Sequence, residues 1–267
     1  NKTRRNISPR PLPLTADPHV HQEQPDQAAI TQRYSEDAVR FIQGQGTDPF
    51  FLDFAHTYVH GPLFAPQAFI DRSENGVYGA CVEEIDWSLA VICDALKHQG
   101  IDENTLIIFT NDNGGCPSGN NKPLRDYKGS TYEGGQRVNC IMKWPTVIKA
   151  GQRTDALSSM LDFFPTFCDI VNQPSDDDLI RDGHSLLPIL KDATSTSDTA
   201  YFFYYKAGRL EAIRDKRYKL HLTKRELYDL EHDIAESQNI FNDHPNIVHD
   251  LETAAATARE DMGDKST

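Results

Sequence analysis

Residues 105–115 read TLIIFTNDNGG, a β-branched apolar run that ends in a polar, glycine-rich turn. The run predicts a short, buried strand in the middle of a sheet. Asp112 and Asn113 follow its carboxyl end, where an open α/β sheet binds its ligands. One carboxylate and one amide oxygen suit Ca²⁺ or Mg²⁺ better than zinc, and the glycines allow a tight turn around an ion. We therefore predict metal ligands here.

The segments before this strand predict a strand–helix–strand unit. The run PFFLDFA (49–55) is typical of a buried strand, and apolar residues recur every three or four positions over 74–98, as in a long helix. Residues 29–43 predict another amphipathic helix, and residues 1–28 predict an extended or loop segment. A strand, a helix and a second strand form a βαβ unit. The predicted fold class is therefore α/β, with a mainly parallel central sheet flanked by helices.

The chain changes character after about residue 195. Before that point, VNCIMKW (138–144) predicts another strand, and Asp162 with Pro165 predicts the start of a helix. After it, short apolar runs alternate with charged turns, which predicts a small antiparallel sheet, and a final helix is predicted near 246–260. We therefore predict two domains, a catalytic α/β part over 1–195 and a small α+β part over 196–267.

The composition excludes some classes of function. The chain has 267 residues, 38% hydrophobic and 25% charged, which is ordinary for a globular protein. Its net charge of −13 argues against nucleic-acid binding, which needs clustered Lys and Arg. No apolar stretch approaches the roughly 20 residues that a membrane span needs. The net negative charge does not exclude a small anionic substrate, since a local group of cations can outweigh the overall charge at a binding site.

Two further loops carry candidate residues. FAHTYVHGP (54–62) places His56 and His60 just after the predicted strand 49–55, and Lys128 lies in a loop with Gly129, Gly134 and Gly135. A lysine in such a loop can approach a tetrahedral oxyanion. Taken singly, an Asp-Asn pair is most often a turn, and a loop His or Lys is most often solvated. The prediction of a site depends on their occurring together and in this order.

With these loops in place, the sequence resembles the second half of the arylsulfatase branch of the sulfatase family. The resemblance covers roughly residues 30–245, and its most specific segment is KGSTYEGG (128–135). The segments that carry it are FAHTYVHGPLFAP (54–66), FTNDNGG (109–115), PLRDYKGSTYEGGQRV (123–138), DFFPT (162–166), DGHSLLPIL (182–190), RYKLH (217–221) and ELYDLEHDIAESQNI (226–240).

The resemblance implies a fold like that of alkaline phosphatases and cleavage of a sulfate ester with a formylglycine nucleophile and a divalent cation. The cation would be Ca²⁺, with Mg²⁺ as the alternative, and Asp112 and Asn113 would be its ligands. Lys128 would bind the sulfate oxygens, and His60 would contact the sulfate or protonate the leaving oxygen. His56 is interpreted as structural.

The same resemblance implies the surroundings of the site. Glu133 and Arg137 would hold the Lys128 loop in shape. The substrate would be a small sulfated molecule, a sugar or aryl sulfate. The location would be periplasmic, lysosomal or secreted, and the oligomeric state stays open.

None of the five cysteines fits the family's nucleophile signature, C-x-P-S-R or a similar C-x-x-x-R. The fifth position lacks arginine at Cys81, Cys93, Cys116, Cys140 and Cys168. We therefore expect the formylglycine, and the family's other metal-binding aspartates, to lie upstream of Asn1. The chain alone is expected to be inactive and to bind metal weakly, because two ligands rarely hold calcium.

Two other interpretations stay open on the sequence. One is a phosphoesterase or phosphonate hydrolase of the same superfold. A two-zinc enzyme of that kind needs extra Asp and His ligands, so the Asp-Asn pair with the Lys128 loop fits a single hard cation better. The other is an inactive, truncated remnant that has kept the fold.

Overall fold

The computed structural model describes residues 12–173 and 181–265. The chain divides into two compact units, Asn1–Thr105 and Leu106–Thr267. The predicted boundary near residue 195 stays a prediction. None of the helices within the described ranges has the length and apolar character that crossing a membrane requires.

The first unit begins with an antiparallel hairpin, where the sequence predicted an extended or loop segment. Strand β1 (Pro13–Ala16) pairs with β2 (His19–Glu23), and the turn between them contains Asp17 at a φ of 54°. Nearly all residues of the hairpin are exposed. It therefore lacks the alternation of apolar and polar residues by which a strand is recognised in a sequence.

Three helices complete the first unit, and the two long ones confirm the predicted helices. They are α1 (Ile30–Gly44), α2 (Gln67–Arg72) and α3 (Gly76–His98). Both long helices bury the side that faces the other, and a hydrogen bond of 2.6 Å joins the hydroxyls of Ser35 and Ser88. Short 3-10 helices precede α1 at Gln27–Ala29 and follow α3 at Asp102–Asn104.

The strand predicted over 49–55 is wrong. These residues form no strand, although they alternate between exposed and half-buried as a strand with one covered face would. An apolar run indicates that a segment is covered, but a strand also needs a hydrogen-bonded neighbour.

The second unit begins with a two-stranded sheet whose direction differs from the prediction. Strand β3 (Ile107–Thr110) pairs with β4 (Cys140–Lys143) in antiparallel register, from Ile107 opposite Lys143 to Thr110 opposite Cys140. The predicted parallel pairing of β3 is therefore not present among the described strands. The residues of β3 are half-buried, whereas a buried strand was predicted. An apolar run indicates that a segment is covered, and it carries no information about the direction of the neighbouring strand.

Three short helices follow the glycine-rich loop. They are α4 (Glu133–Gln136), α5 (Phe163–Ile170), which a 3-10 turn at Met160–Asp162 precedes, and α6 (Leu187–Lys191). Helix α5 begins where it was predicted, directly after Asp162. The Asp162 carboxylate accepts hydrogen bonds from the backbone N–H groups of Ser159 and His184, and makes no capping hydrogen bond to α5.

A four-stranded antiparallel sheet and a long helix end the chain, as predicted. The strands run in the order β5 (Phe202–Lys206), β6 (Arg209–Arg214), β7 (Tyr218–His221) and β8 (Glu226–Asp229), and the helix is α7 (Pro245–Met262). Buried side chains of this sheet and helix form one apolar core, which includes Leu210, Ile213, Leu220, Leu227, Val248, Leu251 and Ala255.

Glu84 gives the first unit a dependence on pH. Its side chain is buried in α3, its Oε1 atom has no hydrogen-bond partner among the described residues, and burial raises its pKa to about 7. Below about pH 4.5 the carboxyl is protonated in the folded and the unfolded state. As the pH rises towards 7, only the unfolded state loses the proton, so the free energy of unfolding falls.

Between pH 4.5 and 8 the ionisation of Glu84 should lower the free energy of unfolding by about 2–3 kcal/mol. We predict that Glu84→Gln removes most of this decrease. Urea denaturation of both proteins at several pH values measures it. Glu74→Gln, at an exposed carboxylate just before α3, is the matched control. The prediction fails if the wild type and Glu84→Gln lose equal stability over this range.

Candidate active site

The Asp112–Asn113 turn presents two oxygen ligands directly after β3. Asp112 is exposed and takes part in no hydrogen bond or ion pair among the described residues. The Asn113 side-chain N–H donates to the Gly114 carbonyl, at 3.0 Å, which leaves its Oδ1 atom available. A carboxylate and an amide oxygen in adjacent positions fit a hard cation as part of its ligand set, which normally numbers six to eight oxygens for Ca²⁺.

The Lys128 loop lies against this turn. The Lys128 backbone N–H donates to the Gly115 carbonyl at 2.9 Å, and the Gly114 N–H donates to the Gly135 carbonyl at 3.1 Å. The predicted site has three parts: His60, the Asp112–Asn113 turn and the Lys128 loop. The structure brings the turn and the loop together. Lys128 itself is exposed, so its ammonium is open to a ligand.

Two glycines make this close approach possible. A side chain at Gly114 would overlap the backbone of Gly134, and a side chain at Gly134 would overlap the carbonyl groups of Arg125 and Asp126. The sequence interpretation was that glycines allow a turn around an ion. In the structure, Gly114 and Gly134 allow the Asp112–Asn113 turn and the Lys128 loop to approach each other backbone to backbone.

Asn121 joins the same loops through its side chain. Its amide nitrogen lies 3.0 Å from the Gly115 carbonyl, 3.0 Å from the Asp126 carbonyl and 2.9 Å from the Gly134 carbonyl. The Asn121 side-chain amide thus connects three loop segments through their backbone carbonyls. This role of Asn121 had no signal in the sequence, because an Asn in a glycine-rich loop usually indicates a turn.

Glu133 anchors the Lys128 loop to the C-terminal sheet. It is fully buried, and its carboxylate forms ion pairs of 2.9 Å with Lys219 and 2.9 Å with Arg214. Lys219 is also fully buried and lies 3.2 Å from the carboxylate of Glu236. Arg137, which was predicted to share the anchoring role, is partly exposed and lies 3.9 Å from Glu133.

The charges in this network balance. Burial alone would raise the pKa of Glu133, but the positive charges of Lys219 and Arg214 outweigh burial, and the net effect lowers its pKa. Burial lowers the pKa of His221, whose ring nitrogen lies 3.3 Å from Glu236, so this imidazole is neutral near pH 7. Two carboxylates thus meet two buried cations. We name these residues, Glu133, Glu236, Arg214, Lys219 and His221, the buried ionic network.

A second set of contacts ties the start of the loop to the same sheet. The Arg125 guanidinium donates to the Tyr228 hydroxyl and to the Glu236 carbonyl, both at 2.8 Å. It also stacks on the ring of Tyr132, 4.0 Å from the ring centre. The residues on the sheet side of these contacts lay outside the predicted site. Their only signal was that both lie in the segment ELYDLEHDIAESQNI (226–240), one of those that carry the family resemblance.

The two predicted histidines belong to the first unit. His60 is exposed, and its Nδ1 atom lies 2.8 Å from the Gly61 carbonyl. His56 is half-buried and packs edge-on against Phe54, with ring centres 4.6 Å apart. Burial lowers the pKa of His56. Its Nδ1 atom is buried without a hydrogen-bond partner among the described residues, so the structural interpretation of His56 stays a prediction.

The described residues hold one other group of metal-ligating side chains, Asp229, Glu231 and His232. Arg217 forms ion pairs with both carboxylates, at 2.6 Å to Asp229 and 3.3 Å to Glu231. Both carboxylates already pair with an arginine, so we assign this group no metal.

Comparison with known proteins extends these observations. A family model described as Sulfatase matches residues 6–173, and a model described as N-sulphoglucosamine sulphohydrolase, C-terminal, matches residues 126–261. Steryl-sulfatase of Homo sapiens is 37% identical over 195 residues, which are 69% of this chain and 33% of the relative. N-acetylgalactosamine-6-sulfatase of Mus musculus is 36% identical over 204 residues, 73% of this chain and 39% of the relative. The chain thus spans about a third of the length of these relatives.

Solved structures give the same result. The crystal structure of Ps i-CgsB in complex with k-i-k-neocarrahexaose matches with a TM-score of 0.83 and 27% identity, over 94% of this chain and 58% of that one. The chain therefore has the α/β fold of the alkaline phosphatase-like enzymes, which confirms the predicted fold class. Because the Sulfatase model matches well over half of its residues, the chain belongs to the sulfatase family.

We predict that Lys219→Met lowers the free energy of unfolding by about 3–5 kcal/mol, because two buried carboxylates lose their shared cation. Denaturant unfolding at pH 7 measures the loss, and hydrogen exchange of the 125–136 amides should show that the loop opens. Lys216→Met, at an exposed lysine just before β7, is the matched control. Equal losses in the two variants would contradict the assigned role of the buried ionic network.

Proposed function

We propose that this chain carries the sulfate-binding lysine and two of the metal ligands of a sulfuric ester hydrolase. The observation that carries the proposal is the hydrogen bond from the Lys128 N–H to the Gly115 carbonyl, which joins the lysine loop to the Asp112–Asn113 turn. A cationic side chain and two hard oxygen ligands on joined loops suit a substrate that is a tetrahedral anion. Membership of the sulfatase family supports the choice of sulfate.

Lys128 binds the non-bridging oxygens of the sulfate in this proposal. Its ammonium offers three donors and a full positive charge to an anion whose charge moves towards the leaving oxygen during cleavage. An exposed lysine with no carboxylate partner among the described residues keeps that charge for the substrate. The stabilisation acts most strongly where water is excluded.

His60 is proposed as the residue that contacts the sulfate or protonates the leaving oxygen. A hydrogen bond from Nδ1 to the Gly61 carbonyl requires the proton on Nδ1, and the neutral ring then presents Nε2 as an acceptor. To donate a proton to the leaving oxygen, His60 must therefore first become an imidazolium.

Asp112 and Asn113 are proposed to hold a divalent cation, Ca²⁺ or alternatively Mg²⁺, which when bound would polarise the sulfate. Two oxygens are fewer than either ion requires, so the remaining ligands are expected from residues outside this sequence. The formylglycine nucleophile is expected there too. This chain by itself is therefore proposed to be inactive.

The substrate is proposed to be a small sulfated molecule, a sugar or aryl sulfate. The names of the relatives steryl-sulfatase and N-acetylgalactosamine-6-sulfatase support this range. By family likeness alone, we propose a periplasmic, lysosomal or secreted location.

We predict that Lys128→Ala in the full-length protein lowers kcat/KM for p-nitrophenyl sulfate by about 10²–10³, because one charge-stabilising donor is lost. Lys149→Ala, at an exposed lysine of the same unit, should retain wild-type turnover. Turnover of p-nitrophenyl phosphate should be slower than that of the sulfate. A preference for phosphate would instead support a phosphoesterase.

We predict that Asp112→Asn raises the apparent Kd for Ca²⁺ at least about tenfold, because a charged ligand becomes neutral. Calorimetric titration of the metal-free full-length protein measures this change, with Mg²⁺ as a second titrant. Asp155→Asn, at an exposed aspartate far along the chain, is the control. Unchanged affinity in Asp112→Asn would remove Asp112 from the metal site.

A further inference from the structure

A polar cleft of about 310 Å³ lies beside Lys128. The lysine loop forms one side through Tyr127, Lys128 and Thr131. The C-terminal sheet forms the other side with Lys206 at the end of β5, Glu211 in β6, and Lys224 in the turn before β8. We name these six residues the lysine cleft. Its volume is at the lower end of the range for small-molecule sites, about 300–1,000 Å³, and suits a single sugar ring.

The lysine cleft carries net positive charge on a strongly acidic chain. Among the described residues, none of its three lysines lies in an ion pair with a carboxylate. Two carboxylates border it. That of Glu211 accepts a hydrogen bond from the Thr131 hydroxyl at 3.2 Å, and that of Asp126 accepts one from the Tyr127 N–H at 3.0 Å. Three cations therefore face two acids, on a chain whose net charge is −13.

The lysines of the C-terminal sheet differ in how firmly they are held. The Lys224 ammonium donates to the Tyr132 hydroxyl at 2.8 Å and lies 4.1 Å from the centre of that ring. The Tyr132 hydroxyl in turn donates to Glu226 at 2.6 Å. These contacts fix Lys224 and leave donors of its ammonium free. Lys206 is exposed and makes no such contact among the described residues, so its ammonium can adjust to a ligand.

We propose that the lysine cleft binds a second anionic group of the substrate, a sulfate or carboxylate beside the sulfate ester that is cleaved. The preferred substrate would then be a saccharide with at least two anionic groups on one ring. This inference rests on the proposed function, because Lys128 both lines the cleft and is assigned to the scissile sulfate. Lys206 and Lys224 are then specificity-determining residues that act on a part of the substrate that does not react.

The test compares ligands with one and two anionic groups. Calorimetry on the full-length protein, with EDTA present to prevent turnover, measures the Kd of D-glucosamine 6-sulfate, D-glucosamine 2-N,6-O-disulfate and glucuronate 2-sulfate. The wild type should bind the disulfate about tenfold more tightly than the monosulfate, which is the effect of one additional charge-assisted contact. The uronate shows whether a carboxylate can replace the second sulfate.

Three variants give the test its controls. Lys206→Ala should reduce the preference for the disulfate to about twofold or less, and Lys206→Arg should retain most of it, since the charge stays. Lys191→Ala, at an exposed lysine outside the cleft, should retain the full preference. The proposal is overturned if the wild type shows no preference, or if Lys206→Ala and Lys191→Ala reduce it equally.

A separate assay distinguishes this proposal from the proposed function. If the metal-loaded full-length protein fails to hydrolyse p-nitrophenyl sulfate while Lys206 still determines the preference for the disulfate, the hydrolase proposal falls and the lysine cleft stands. If hydrolysis occurs without that preference, the lysine cleft falls and the hydrolase proposal stands.

Discussion

The ammonium of Lys219, buried between the carboxylates of Glu133 and Glu236, is the constraint on which the rest of the second unit depends. A buried charge is tolerated only when its partners are complete, because each ion has given up its hydration. Glu133 belongs to the loop, Lys219 to β7, and Glu236 to the segment after β8. The Glu236 carboxylate also accepts the Glu133 N–H at 2.6 Å. A shift of the loop, or a slip in the register of the sheet, would therefore leave a charge unpaired.

The proposed catalytic groups take their position from this constraint through a short series of backbone contacts. Glu133 is followed by Gly134 and Gly135, and these glycines contact the Asp112–Asn113 turn. The Gly115 carbonyl, directly after that turn, accepts a hydrogen bond from the backbone N–H of Lys128. The C-terminal sheet thus positions the proposed catalytic groups through backbone contacts, although its buried ions are not among those groups. This agrees with the family model that begins at residue 126 and extends over both the loop and the sheet.

The sequence predicted the parts of the molecule whose signals are local. The long helices α1, α3 and α7 and the C-terminal sheet were predicted correctly, because apolar periodicity and turn residues lie within each segment. The strand predicted at 49–55 was wrong, and within the described residues β3 pairs antiparallel with β4. Both features depend on a neighbour elsewhere in the chain, which a local apolar pattern does not specify. The same limit applies to the site. Asp112 and Lys128 lie in recognisable loops, whereas Lys219 and Glu236 join them only through the packing of distant segments.

Tyr132 connects the buried ionic network to the lysine cleft. The centre of its ring lies 4.0 Å from the Arg125 guanidinium and 4.2 Å from the centre of the His221 ring, and its hydroxyl accepts a hydrogen bond from Lys224. These ring contacts therefore fix the position of Tyr132, and its hydroxyl holds Lys224 in place on the sheet side of the cleft. Lys206, on the same side of the cleft, lacks such support among the described residues. A ligand that reaches both lysines gains a preorganised contact at little entropic cost from Lys224 and an adjustable contact from Lys206. In the proposed site, where Lys128 binds the scissile sulfate, this arrangement favours a ligand with two anionic groups at a defined spacing over a ligand with one.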